Sequence, residues 1–95
     1  MPPPESRADR RFKRRDRVVA ALGDASANAA LDLLELVEYA WHDCYGEVTP
    51  SEEIVDDVLL VSRGTLGGLI SAAHLAVTDW RDLKVAADAL RSETR

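Results

Sequence analysis

The strongest hydrophobic pattern in the chain lies between residues 26 and 45, where apolar side chains recur at the spacing of one helix face. Ser26 or Asp24 can cap a helix at the start of this segment, and Gly46 can end it. The apolar stripe consists of Ala30, Leu33, Leu34, Val37, Ala40, Trp41 and Cys44. Because acidic residues face away from this stripe, the pattern predicts an amphipathic helix that covers a core.

A second helix start stands just after that segment. Thr49 can cap the helix, and Pro50 suits the first helical position because a helix leaves that N–H without a partner in any case. Glu52 can complete a capping box, and residues 54–61 supply an apolar side. These signals predict a helix from about Thr49 onwards.

The glycine-rich stretch 62–68 predicts a break, and the uncharged segment after it predicts the most buried helix, ending near Thr78. Thr78 or Asp79 is expected to start a final helix. Small residues recur every four positions, which lets another backbone approach closely. This small-residue stripe consists of Gly64, Gly68, Ala72 and Ala76. Together with Trp41 and Trp80, the stripe is predicted to serve helix packing or an interface, and helical spacing favours a core position for both tryptophans.

These elements predict an all-α fold, with three or four helices in a compact antiparallel bundle at residues 18–95. Residues 1–17 are predicted to be a basic, partly disordered arm, because the prolines at its start cannot begin a helix. Asp9 could cap a helix that runs from the arm to Gly23, frayed by repulsion between like charges. The thin core expected of a 95-residue chain favours self-association.

Charge is divided unevenly along the chain. The net charge is −5, yet residues 1–17 carry seven basic and three acidic side chains. Residues 18–95 carry five basic and fourteen acidic ones. The single cysteine fits a reducing compartment, and we find neither a secretory signal nor an apolar run of the roughly 20 residues that a membrane span needs. We therefore expect a cytoplasmic protein without a membrane span.

The basic segment is the clearest functional signal. Its cations are Arg7, Arg10, Arg11, Lys13, Arg14, Arg15 and Arg17, with one aromatic residue, Phe12, among them. Such a run is typical of an arm that contacts nucleic-acid phosphates without reading sequence. Three other interpretations stay open: a solvated terminus, a segment folded back on the acidic body of its own domain or of a partner, and a contact with an anionic membrane surface.

Other motifs give weaker signals. The glycines of residues 64–68 follow an apolar run but lack the lysine and the spacing of a phosphate loop, so packing is the favoured interpretation. Glu38, His42 and Cys44 supply too few ligands for a closed metal site. We interpret Glu38 and His42 as a surface pair and Cys44 as a small buried hydrophobe. No catalytic motif is found, and we expect neither a cofactor nor an enzymatic activity.

The sequence therefore predicts a non-enzymatic protein–protein interaction module, a small adaptor or regulator that acts through helix faces on a protein partner or a second copy of itself. The alternative is a nucleic-acid-associated accessory or regulatory protein that uses the arginine-rich segment. A small ligand-binding domain or enzyme ranks third, and an acidic body that mimics nucleic acid is a further alternative. The interaction module predicts an exposed apolar patch or a dimer. The ligand-binding domain or enzyme predicts a pocket lined by Ser62, His74 or Cys44.

Overall fold

A computed structural model describes residues 5–93 of the chain. Every regular element in this range is an α-helix. The helices are α1 (Arg7–Leu22), α2 (Asp24–Tyr45), α3 (Glu52–Val61) and α4 (Leu66–Glu93). The all-α prediction is confirmed for the described residues, which form four helices where three or four core helices were expected.

Helix α1 begins earlier than the sequence predicted. Ser6 is its N-cap and Asp9 closes a capping box, since each side chain accepts the other residue's backbone N–H at 3.1 Å. Asp9 therefore lies inside the helix instead of capping it. Residues 7–17 belong to α1, which continues past position 17, so the predicted disordered basic arm is not clearly supported; the disorder expected of residues 1–4 lies outside the described part.

The connection between α2 and α3 differs from the prediction in its last residues. Gly46 ends α2 as expected, with a φ of +74° that a residue with a side chain rarely adopts, and its N–H bonds to the His42 carbonyl. Helix α3 starts later than expected, because Ser51 caps it by accepting the Ile54 N–H. The Thr49 hydroxyl, predicted to be the cap, donates instead to a side chain of α2.

Helix α4 consists of two limbs separated at Asp79, whose backbone is extended at φ −157° and ψ 89°. The Asp79 carboxylate accepts the N–H groups of Arg81 and Asp82, which is the chemistry of an N-cap, as predicted for a new helix start here. Residues 66–78 lead away from the end of α3. Residues 80–93 return along α3, which brings Glu93 within 3.8 Å of Arg63.

The core lies where α4 packs against α3 and α2, and where α1 packs against α2. The largest apolar side chains at its centre are Val18, Leu31, Val55, Val58, Leu69 and Leu83. The radius of gyration of 13.0 Å is the value expected for a compact chain of about this length. None of the described helices has the length and apolarity to cross a membrane.

Candidate functional site

The arginines that face inward from α1 form a buried ion cluster, defined here as Arg10, Arg14, Glu38 and Thr49. Glu38 is 2% exposed and lies on α2. Its Oε2 accepts hydrogen bonds from Arg10 Nε at 2.5 Å, from Arg14 Nη1 at 2.9 Å and from the Thr49 hydroxyl at 3.0 Å. Charge-assisted bonds of this kind are the strong ones, so the cluster ties α1 to α2 and to the α2–α3 connection.

The Glu38 carboxyl stays ionised inside this cluster. Burial raises its pKa, because the charged form loses its hydration. The hydrogen bonds from Arg10, Thr49 and Arg14 favour the charged form, and together they hold the pKa of Glu38 below its ordinary value. Two guanidinium groups therefore meet one carboxylate, and a second carboxylate must supply the remaining negative charge.

That second carboxylate is Glu52, in the first turn of α3. Its Oε2 lies 2.8 Å from Arg14 Nη2, and its Oε1 pairs closely with Arg17, which also contacts Asp56. Burial raises the pKa of Glu52, but the hydrogen bonds from Arg14 and Arg17 outweigh it and leave the pKa below its ordinary value. The charged face of α1 is thus matched by acidic groups on both neighbouring helices.

The other cations of the segment lie nearer the surface and also have partners. Arg7 bonds the Tyr39 hydroxyl and lies over its ring, Arg11 pairs with Asp32 and Glu35, Lys13 pairs with Glu5, and Arg15 donates to Asn28. All seven cations predicted to contact phosphates therefore have a polar partner among the described residues. This geometry corresponds to one of the open interpretations, a segment folded back on its own acidic body, and phosphate contact stays a prediction.

The small-residue stripe does not form one continuous contact. Ala72 and Ala76 are buried in the core, 1% and 0% exposed. Gly68 lies so close to the end of α3 that a Cβ there would be 2.0 Å from the Ser62 carbonyl oxygen. Gly64 is exposed in the α3–α4 turn at a φ of +80°. Gly68, Ala72 and Ala76 therefore pack inside this chain, and a role of the stripe in an interface stays a prediction.

The two tryptophans lie close to each other at one end of the bundle. Trp41 is 4% exposed, packs against Tyr45 and donates its Nε1–H to Glu47 at 3.1 Å. Trp80 follows the break in α4, is partly buried against the core and carries the Arg81 guanidinium 5.3 Å from its ring centroid. Both side chains border a cavity, Trp41 as a buried side chain and Trp80 as a partly buried one.

An apolar groove runs along the outside of α2 and the first limb of α4. We call it the α2–α4 groove, lined by Ala29, Asp32, Leu33, Leu36, Leu66 and Ile70. Leu36 is 61% exposed and Ile70 is 58% exposed. The sequence did not predict that either side chain is exposed, because helical spacing cannot tell an unpaired apolar edge from one that a neighbouring helix covers.

Several predicted chemical groups lie elsewhere than expected. Cys44, near the end of α2, is exposed rather than buried. Glu38 and His42 do not form a surface pair, since Glu38 is buried and the His42 ring lies beside the Glu47 carbonyl. Ser62 is buried with its hydroxyl bonded to the backbone of α3, and His74 is exposed. Among the described residues, no group of His, Cys, Asp and Glu is arranged to hold a metal ion.

The burial of Glu38 is what sequence reasoning missed, and a signal for it existed. Glu38 stands next to Val37, one turn after Leu34 and three residues before Trp41, all members of the apolar stripe. An acidic residue that is buried at the edge of such a stripe needs a cationic partner, because a buried charge is costly unless it is paired.

Comparison of the chain with protein-family models, curated proteins and solved structures finds no match.

Proposed function

We propose that the protein is a non-enzymatic interaction module that self-associates through the α2–α4 groove. The observation that carries the proposal is the exposed apolar surface of Leu36 and Ile70, which lie on two adjacent helices rather than as isolated side chains. Contiguous apolar surface of this kind marks interaction sites more often than scattered hydrophobic residues do.

A second copy of the chain fits this groove by its chemistry. Asp32 is the only charged side chain among the described residues that line the groove, and Arg11 already neutralises it at 2.7 Å. Two grooves facing each other across a two-fold axis would thus bury leucine and isoleucine without burying an unpaired charge. The net charge of −5 opposes approach of two copies at long range, so added salt is expected to strengthen the dimer modestly.

Sedimentation equilibrium of the full chain tests this proposal. We expect a monomer–dimer equilibrium that Leu36→Glu weakens by about tenfold or more, because a carboxylate would have to be buried in the interface. Val85→Glu is the matched control, since Val85 is 68% exposed on the second limb of α4 and does not line the groove. A monomer at every concentration, or equal weakening by both substitutions, would refute self-association through this groove.

The alternative, phosphate contact through residues 7–17, has less support, because nucleic acid would have to compete with partners that these cations already have. Fluorescence anisotropy with labelled duplex DNA and single-stranded RNA, at low and physiological salt, tests whether the chain binds nucleic acid through these cations. Lys13→Gln and Arg15→Gln spare the buried ion cluster, and Arg63→Gln is a matched control in the α3–α4 turn. Binding that falls steeply with salt and with the first two substitutions alone would put the alternative first.

A further inference from the structure

We infer that the cavity beside the two tryptophans binds an organic ammonium cation, such as a quaternary or methylated ammonium group. The cavity, about 300 Å³ in volume, lies between the end of α2, the start of α3 and the second limb of α4. We call it the aromatic cavity. The side chains that matter for binding are Trp41, Tyr45, Trp80, Glu47, Glu53 and Lys84. It shares none of its lining with the α2–α4 groove, so it is independent of the proposed self-association.

The aromatic rings of this cavity are held in place. The centroids of Trp41 and Tyr45 lie 4.4 Å apart with their planes tilted by 55°. The Tyr45 hydroxyl donates to the carbonyls of Ala76 and Val77, just ahead of the break at Asp79. In a continuous helix the Val77 carbonyl would accept the Arg81 N–H, but that N–H donates to the Asp79 carboxylate. The break thus both positions Trp80 and anchors Tyr45.

Three aromatic side chains around one cavity favour a cation. The face of an indole or phenol ring is electronegative, so an ammonium group within about 6 Å of its centroid is attracted, the more so when it is partly removed from water. Trp80 already carries the Arg81 guanidinium at 5.3 Å, and Arg81 does not line the cavity. The ring is therefore in an environment that accepts positive charge.

The charged side chains at the rim favour the same ligand. Glu47 accepts the Trp41 Nε1–H through one oxygen, and Glu53 is exposed with no ion pair among the described residues. Among the lining residues that the structure describes, Lys84 is the one cationic side chain, so two carboxylates oppose one ammonium group. The positive end of α3 would favour an anion, but Ser51 caps that end and Glu53 lies in its first turn.

The size of the cavity also limits the ligand. Ligand sites in proteins occupy about 300–1,000 Å³, and this cavity lies at the lower end of that range. It suits a compact headgroup or a single side chain rather than a nucleotide. A methylated ammonium group suits it best, because methyl groups lower the cost of leaving water while the positive charge is kept.

Intrinsic fluorescence tests the inference directly, because the chain has two tryptophans and both line the cavity. We expect choline and tetramethylammonium, titrated at constant ionic strength, to change the emission saturably. The neutral carbon isostere of choline should not do so at the same concentrations. Inorganic phosphate is titrated in parallel. A saturable response to the isostere, a response to phosphate instead of the cations, or no response at all would each overturn the proposal.

Two substitutions of opposite sign sharpen the test. Glu53→Gln removes an attractive charge and should weaken choline binding by about threefold or more, whereas Lys84→Met removes a competing ammonium group and should strengthen it by a similar factor. Asp16→Asn, on the exposed side of α1, is the control for a lost negative charge and should leave the affinity unchanged. Equal effects of Glu53→Gln and Asp16→Asn would indicate a nonspecific charge effect and contradict a site at the cavity.

Discussion

Glu38→Gln is the substitution that tests the buried ion cluster most severely. It keeps the shape of the side chain but removes the charge that Arg10 and Arg14 share. All three residues are at most 7% exposed, so water cannot replace the missing carboxylate. Removing one partner of a buried ion pair costs about 3–5 kcal/mol, and because an amide retains one acceptor oxygen we expect a loss of about 3 kcal/mol.

A loss of this size is a large part of the total, since domains of this length unfold with free energies on the order of 5–15 kcal/mol. Urea unfolding followed by far-UV circular dichroism measures it. Asp32→Asn is the matched control: it breaks another arginine–carboxylate pair between α1 and α2, but its side chain is 68% exposed. Exposed pairs contribute less than about 1 kcal/mol, so the two variants should differ by about 2 kcal/mol or more.

The same reasoning predicts that replacing all three charged residues of the buried ion cluster by apolar ones lowers the free energy of unfolding far less than removing the carboxylate alone. A variant with Arg10→Met, Arg14→Met and Glu38→Leu should lie within about 1 kcal/mol of the natural chain, because no unpaired charge stays buried. If Glu38→Gln costs no more than Asp32→Asn, the cluster does not hold α1 in place. If the apolar variant is as unstable as Glu38→Gln, lost packing rather than an unpaired charge explains the loss.

Three further predictions follow from particular contacts. Because the folded-state pKa of Glu38 is lowered, the contribution of Glu38 to stability is complete above the ordinary glutamate pKa of about 4.3 and is lost as the pH falls from there through the folded value. In a plot of the urea midpoint against pH, Glu38→Gln should therefore flatten the fall at acidic pH. Asp57 is 1% exposed; one of its carboxylate oxygens lies 2.6 Å from Arg91, and the other accepts no hydrogen bond among the described residues. Arg91→Met removes this partner and should lower the free energy of unfolding, measured with urea, by about 2 kcal/mol. Gly68→Ala should cost about 1–3 kcal/mol in urea unfolding, because its Cβ would overlap a backbone carbonyl, whereas Gly67→Ala has open space and should stabilise α4 by up to about 1 kcal/mol.

Most of the fold could be predicted from the sequence because local signals decide it. The apolar stripe of α2, the glycine at position 46 and the break at Asp79 each depend on neighbours within one or two helical turns. The start of α3 could not be placed, since Thr49 and Ser51 are both good caps by local rules. Thr49 does not cap α3 because its hydroxyl donates to Glu38, eleven positions earlier in the chain, and local capping rules do not include contacts at that distance.

The candidate site was harder to predict than the fold, for a related reason. A run of arginines has the same local pattern whether it faces phosphates or carboxylates, and only the arrangement of α1 against α2 and α3 distinguishes the two. Exposure of Leu36 and Ile70 likewise depends on how α4 lies beside α2. The aromatic cavity brings together Trp41 and Trp80, which the sequence marked as packing or interface residues, but their distance in the chain gave no indication that they share a cavity.

The ion cluster also determines which experiments on the basic segment can be interpreted. Deleting residues 1–17 would remove two of the three hydrogen-bond partners of Glu38 that lie within 3.0 Å, together with most of α1. The remaining chain would carry a buried carboxylate without its arginines, at a cost comparable to breaking a buried pair, about 3–5 kcal/mol. Loss of any binding activity in such a truncation would therefore report unfolding as readily as a lost contact. Single substitutions at Lys13 and Arg15, whose side chains lie outside the cluster, separate the two effects.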